Sequence, residues 1–161
     1  MPISLSASEL LKIAVGIERR GIAFYDVMAK SVQSAETANV FQRLARMEQY
    51  HVKVFQKMLD EADKYEPAQV DSEEYDAYLQ ALSDNAVFTD EMITSEMATK
   101  AESDIEALEL AIGAEKDSIL FYYEMKEALP QRVHPTVNRV ITEEKSHLRQ
   151  LSEVRKKLAA T

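Results

Sequence analysis

Apolar residues recur at three- and four-residue steps in four separate stretches of the chain. The first stretch runs Leu11, Val15, Ile22, Tyr25 and Ala29, and the second Phe41, Leu44, Val52, Phe55 and Leu59. The third runs Leu108, Ile112, Ile119, Tyr122 and Met125, and the fourth Val137, Val140, Leu148, Leu151 and Leu158. This spacing places each set on one face of an amphipathic helix. The boundaries carry their own signals. Ser6-Ala7-Ser8-Glu9 reads as a capping box opening the first helix, and the polar run Ser31 to Ser34 interrupts the pattern before the second. The third helix starts after Ser103-Asp104 and stops at Leu129-Pro130-Gln131, because proline restricts the residue before it and lacks a backbone donor. Pro135 suits the first turn of the fourth helix, and Arg155, Lys156 and Lys157 suit its C-terminal end. The expected fold is all-α: two helical hairpins forming an antiparallel four-helix bundle.

The second and third of these helices are joined by a crossover of about 38 residues, Tyr65 to Glu102. Connections this long usually carry structure or a role of their own. Short helices are expected at Glu73 to Leu82 and at Asp90 to Thr99. Gly16 and Gly113, in the middle of the first and third helices, are expected to permit close helix approach.

Composition narrows the functional classes. With 161 residues the expectation is one domain, residues 1–161, with a core large enough to be stable. Zero cysteines exclude disulfides, thiolate metal sites and iron–sulfur clusters within this chain. A net charge of -9 argues against nucleic acid and anionic membranes as partners. No stretch approaches the roughly 20 apolar residues of a membrane span, and Met1 to Glu18 lacks a secretory pattern. A cytoplasmic location is therefore expected. The charge itself is unevenly spread: Glu66 to Asp104 holds 11 acidic residues against the single base Lys100. The rest of the chain is nearly neutral, so an exposed acidic crossover is expected.

Each apolar stripe is broken by polar residues at core-facing positions. Glu18 stands between Val15 and Ile22, and Glu48 and His51 stand between Leu44 and Phe55. Glu115 stands between Ile112 and Ile119, and Glu144 and His147 between Val140 and Leu151. A buried carboxylate costs several kcal/mol unless it is paired or bound to a metal. Six such positions call for one common explanation.

Their spacing brings them together. Residues equidistant from a hairpin loop lie side by side, and Glu18 and Glu48 have their midpoint at position 33, inside the first predicted loop. Glu115 and Glu144 have theirs between Leu129 and Pro130. The halves also repeat: Glu18 with Ile22, Phe24 and Tyr25 matches Glu115 with Ile119, Phe121 and Tyr122 at an offset of 97. Glu48-x-x-His51 matches Glu144-x-x-His147 at an offset of 96. Positions i and i+3 share a helix face, so one ion can take both. Four glutamates balance two divalent cations. Without cations, carboxylates ~4 Å apart would repel by roughly 4 kcal/mol per pair at an effective dielectric near 20. Mixed carboxylate and imidazole ligands suit iron or manganese, alone or as a mixed Fe/Mn pair. Tyr25 and Tyr122 each follow a ligand glutamate by seven residues and face inward. They are either plain core residues or groups whose hydroxyls hold ligand carboxylates. Tyr50 is a weaker candidate of that kind. Glu143 points about 100° away from the ligand face and reads as a solvated neighbour, and His134 as a surface or turn residue.

Together, Glu18, Glu48-x-x-His51, Glu115 and Glu144-x-x-His147 resemble the di-iron signature of the ferritin-like superfamily, most closely that of rubrerythrin-like proteins. The resemblance covers residues 9–64 and 103–158. It implies a non-haem di-iron bundle, homodimeric or larger, that acts on peroxide or dioxygen and is re-reduced by a separate electron donor. Glu18 and Glu115 would be the lone-glutamate ligands, Glu48 and Glu144 the bridges, and His51 and His147 the nitrogen ligands.

The chain departs from that pattern in several places. It contains no cysteine-ligated rubredoxin segment, and Ile112 stands where rubrerythrins carry an extra glutamate three residues before the third-helix ligand. Its acidic crossover is longer than the bundle requires. Bacterioferritins share the six-ligand pattern, but Gln49 occupies the place of their haem-binding methionine, so no haem is expected. Three activities follow as expectations: a peroxide- or dioxygen-reducing oxidoreductase first, an iron-handling ferroxidase or storage protein second, and a metal-stabilised interaction module third.

Overall fold

The computed structural model describes residues 6–65, 73–86 and 102–161. Every regular element in them is helical. α1 spans Ala7–Ser31, α2 Ala35–Asp60, α3 Glu73–Asp84, α4 Asp104–Glu127 and α5 His134–Ala159. α1 pairs with α2 and α4 with α5, giving the two hairpins of an all-α bundle. α3 lies in the crossover. It extends two residues beyond the expected Leu82, while the helix expected at Asp90 to Thr99 lies outside the described residues.

The helix ends follow from local chemistry. The Ser6 hydroxyl accepts the Glu9 amide at 3.2 Å and the Glu9 carboxylate accepts the Ser6 amide at 2.7 Å, a complete capping box. Ser34 and Ser103 cap α2 and α4 in the same way through one hydroxyl each. Pro130 ends the second hairpin's first arm, and Pro135 sits in the first turn of α5. At this turn the His134 ring nitrogen Nε2 lies 2.9 Å from the Leu129 carbonyl, the turn role read from sequence. The first hairpin loop is tied to the second hairpin by Asp104. Its carboxylate accepts the backbone amides of Gln33 at 2.9 Å and Ser34 at 2.7 Å, which sets the axial position of one hairpin against the other.

The core divides into two apolar layers. One gathers Leu11, Val15, Phe55, Tyr122, Val137 and Val140. The other gathers Phe24, Tyr25, Phe41, Leu44, Leu108 and Leu151. The ionisable residues sit between them. α3 packs on the first layer through Leu79, which is 1% exposed, and the Tyr75 hydroxyl donates to the Glu124 carbonyl at 2.7 Å. This part of the crossover is therefore docked on α4 rather than simply exposed: Glu73, Glu74 and Asp84 are exposed, Asp76 is half-buried, and Leu79 and Tyr75 face in. The glycine reading also changes. A Cβ at Gly16 would meet only the Arg20 side chain of its own helix, at 3.3 Å. The facing-helix neighbour belongs instead to Gly21, where a Cβ would lie 3.7 Å from Glu48 Cγ.

Candidate metal centre

Six ionisable residues from the four long helices meet between the apolar layers, none more than 4% exposed. α1 supplies Glu18, α2 Glu48 and His51, α4 Glu115, and α5 Glu144 and His147. Their ligand atoms form two overlapping groups, each within 4.8 Å: Glu18, Glu48, His51 and Glu144, and Glu115, Glu144, His147 and Glu48. Glu48 and Glu144 belong to both groups. The hairpin register read from sequence thus brings all six predicted ligands to one place.

Each imidazole turns Nδ1 into the cluster. His51 Nδ1 lies 3.0 Å from Glu48, 3.1 Å from Glu144 and 3.6 Å from Glu18. His147 Nδ1 lies 3.0 Å from Glu144, 3.4 Å from Glu48 and 3.6 Å from Glu115. The two rings stack with centroids 5.7 Å apart.

The tyrosines cross between the hairpins. Tyr25 of α1 donates to Glu115 Oε1 of α4 at 2.5 Å, and Tyr122 of α4 donates to Glu18 Oε1 of α1 at 2.6 Å. Aromatic neighbours fix both rings: Phe41 lies 5.5 Å from Tyr25, and Phe55 lies 4.9 Å from Tyr122. Each hydroxyl holds Oε1 of a lone glutamate; Glu18 turns its other oxygen toward His51 Nδ1 at 3.6 Å, whereas Glu115 presents the same Oε1 to His147 Nδ1 at 3.6 Å. Tyr50 does not join them, since it is 46% exposed on the outer face of α2.

Glu143 is the functional contact that helix-wheel reasoning missed. It is not a free surface neighbour: its Oε2 lies 2.6 Å from His51 Nε2, on the side of the ring away from the cluster. Its 100° displacement points it across to α2 instead of into the centre. Only the facing helix reveals this role.

Gathering four carboxylates in one buried place shifts their protonation. Burial pushes the Glu48 carboxyl well above the usual range, and the neighbouring Glu18 and Glu115 charges push it further. Burial does the same to Glu144, helped by Glu115 and Glu18. Burial also opposes ionisation of Glu18, but hydrogen bonds with Glu48 and His51 outweigh it and hold that carboxyl at about 2. Glu115 is lowered in the same manner by His147 and Glu144, against its burial. For the histidines burial favours the neutral ring, yet the surrounding carboxylates win; His147 is pushed up to about 12 and His51 is raised as well. Protons thus balance the charge that cations would otherwise balance.

The donor set fits a pair of divalent cations. It offers four carboxylates and two imidazoles, and the buried Glu115 Oε2 has no hydrogen-bond partner among the described residues. A cavity of about 60 Å³ between α1, α3 and α4 reaches Glu18, Glu48 and Glu115. Ile13, Ile17, Leu82 and Phe121 form much of its wall. At roughly 10–15 Å³ per water it accommodates a few water-sized molecules.

A four-helix bundle with two such paired ligand sets is of the ferritin-like di-iron carboxylate class. A solved structure from Thermotoga maritima named as a ferritin-like diiron-carboxylate protein is similar over 94% of this chain and 95% of that one, with 30% sequence identity and a TM-score of 0.67. The pattern of the Rubrerythrin family matches residues 9–155. The chain belongs to the rubrerythrin family. No curated protein matches the sequence. Among the described residues no helix is long and apolar enough to cross a membrane.

Proposed function

We propose that the cluster holds two iron ions, or iron with manganese, and that the protein is an oxidoreductase reducing peroxide or dioxygen with electrons from a separate donor. The observation that carries this reading is the overlap of the two ligand groups through Glu48 and Glu144. Two carboxylates common to both groups are what an adjacent pair of ions requires. Bound there, an iron pair supplies two electrons to an O–O bond; with two protons, hydrogen peroxide becomes two waters.

The chain's own residues provide the setting. Glu18 and Glu115 are held by Tyr122 and Tyr25, so the orientation of the lone carboxylates would be set before an ion binds. The apolar layers above and below keep bulk water from the centre. The cavity reaches the carboxylate side of the cluster, and it admits molecules the size of peroxide or dioxygen.

The test is anaerobic loading of the protein with Fe(II), then addition of peroxide with and without a reductant. Rapid oxidation of two irons per chain followed by repeated turnover supports the proposal. A single oxidation that no donor reverses contradicts it, and iron uptake well beyond two per chain would indicate storage instead.

A further inference from the structure

The two halves of the centre treat their histidines differently. On the inner side they are alike: each Nδ1 lies within 3.4 Å of both Glu48 and Glu144. On the outer side they are not. His51 Nε2 is met by Glu143 at 2.6 Å, whereas His147 Nε2 is buried with no hydrogen-bond partner among the described residues. The internal duplication explains why. Glu143 immediately precedes Glu144, and the residue in register with it, immediately before Glu48, is Met47. A thioether is at best a weak acceptor.

A histidine that gives Nδ1 to a metal carries its proton on Nε2. An acceptor there selects that tautomer, fixes the ring angle and makes the inner nitrogen a better donor. Glu143 does all three for His51. Its side chain is 28% exposed, so most of it is withdrawn from water and the contact is only partly screened. Among the described residues nothing equivalent acts on His147.

We infer that the two metal positions are unequal, with Glu143 acting as a positioning residue that makes the His51 position the tighter and first filled. This inference rests on the proposal that the cluster holds two metal ions. Outer partners of this type change metal affinity by about 10–100-fold, so the two stepwise constants are expected to differ by about that factor.

The experiment titrates the full, metal-free chain with Co(II) against a chromophoric chelator, reading stoichiometry and both binding constants from absorption. The wild-type protein is expected to fill in two resolved steps. Glu143→Met should weaken the tighter step by about 10–100-fold and leave the other in place. Glu143→Gln, which keeps an acceptor oxygen, should restore part of the loss. Met47→Glu should tighten the weaker step and bring the constants together, which keeps the test available if Glu143→Met does not fold. Equal constants in the wild-type protein, or equal weakening of both steps by Glu143→Met, would overturn the inference while leaving the two-metal reading intact. Failure of the wild-type chain to bind two Co(II) ions would instead reject that reading itself.

Discussion

Tyr25 and Tyr122 show how much of the centre depends on single hydroxyls. Each reaches from one hairpin to a buried carboxylate of the other, so removing the hydroxyl leaves a charged oxygen without its partner. Tyr122→Phe and Tyr25→Phe should each destabilise the metal-free protein by about 1–3 kcal/mol in urea unfolding. A change within error would show that the tyrosines are only core residues. The histidines set the pH response. In the unfolded chain they lose their protons near 6.5, whereas His147 in the folded cluster holds its proton to about 12. Above pH 6.5 the folded state therefore binds more protons than the unfolded one, and this contribution to stability is lost as pH rises. Metal must displace the same protons, so its affinity rises over the same range. The gap in melting temperature between metal-loaded and metal-free protein should widen from about pH 6 to about pH 8. A constant or shrinking gap would contradict this protonation scheme.

At the scale of elements, the long helices and their meeting point were legible because burial and spacing act on the same residues. Six polar interruptions in four apolar stripes cannot all face a core unless they face one another. The turn signals at Ser31 to Ser34 and at Pro130 then fixed their level. Two contacts were not legible, for a common reason. Glu143 and α3 make their contacts off the helix's own core stripe, where only the position of a neighbouring helix decides what is touched. Between the two halves in register Glu143 corresponds to Met47, a difference that marks the position without showing what it touches. For α3 the acidic composition masked Leu79, a single buried anchor. Leu79→Ala should weaken the docking of α3 by about 2–5 kcal/mol. Hydrogen exchange should then show faster exchange across Glu73–Asp84, with the α1 and α4 amides protected as before. Faster exchange throughout the bundle would mean that α3 is part of its core. Asp104 is the corresponding tie between hairpins: Asp104→Ala removes the acceptor of two backbone amides and should cost about 1.5–3 kcal/mol in urea unfolding.

Over the whole molecule, the arrangement is a layer of charge held between two layers of hydrocarbon. The apolar layers provide the stability, while the ionisable layer opposes folding unless protons or cations neutralise it. The excess negative charge of the chain is consequently of two kinds. The region from Glu66 to Asp104 accounts for the whole net excess, and four further carboxylates lie in the interior, where their number matches two divalent ions. The central claim is that these ions occupy two adjacent positions sharing Glu48 and Glu144. Anomalous diffraction at the iron edge from crystals of Fe(II)-loaded protein tests it most directly. Two peaks are expected between Glu48 and Glu144, one beside His51 Nδ1 and the other beside His147 Nδ1. A single peak, or peaks only among the surface carboxylates, would contradict the account.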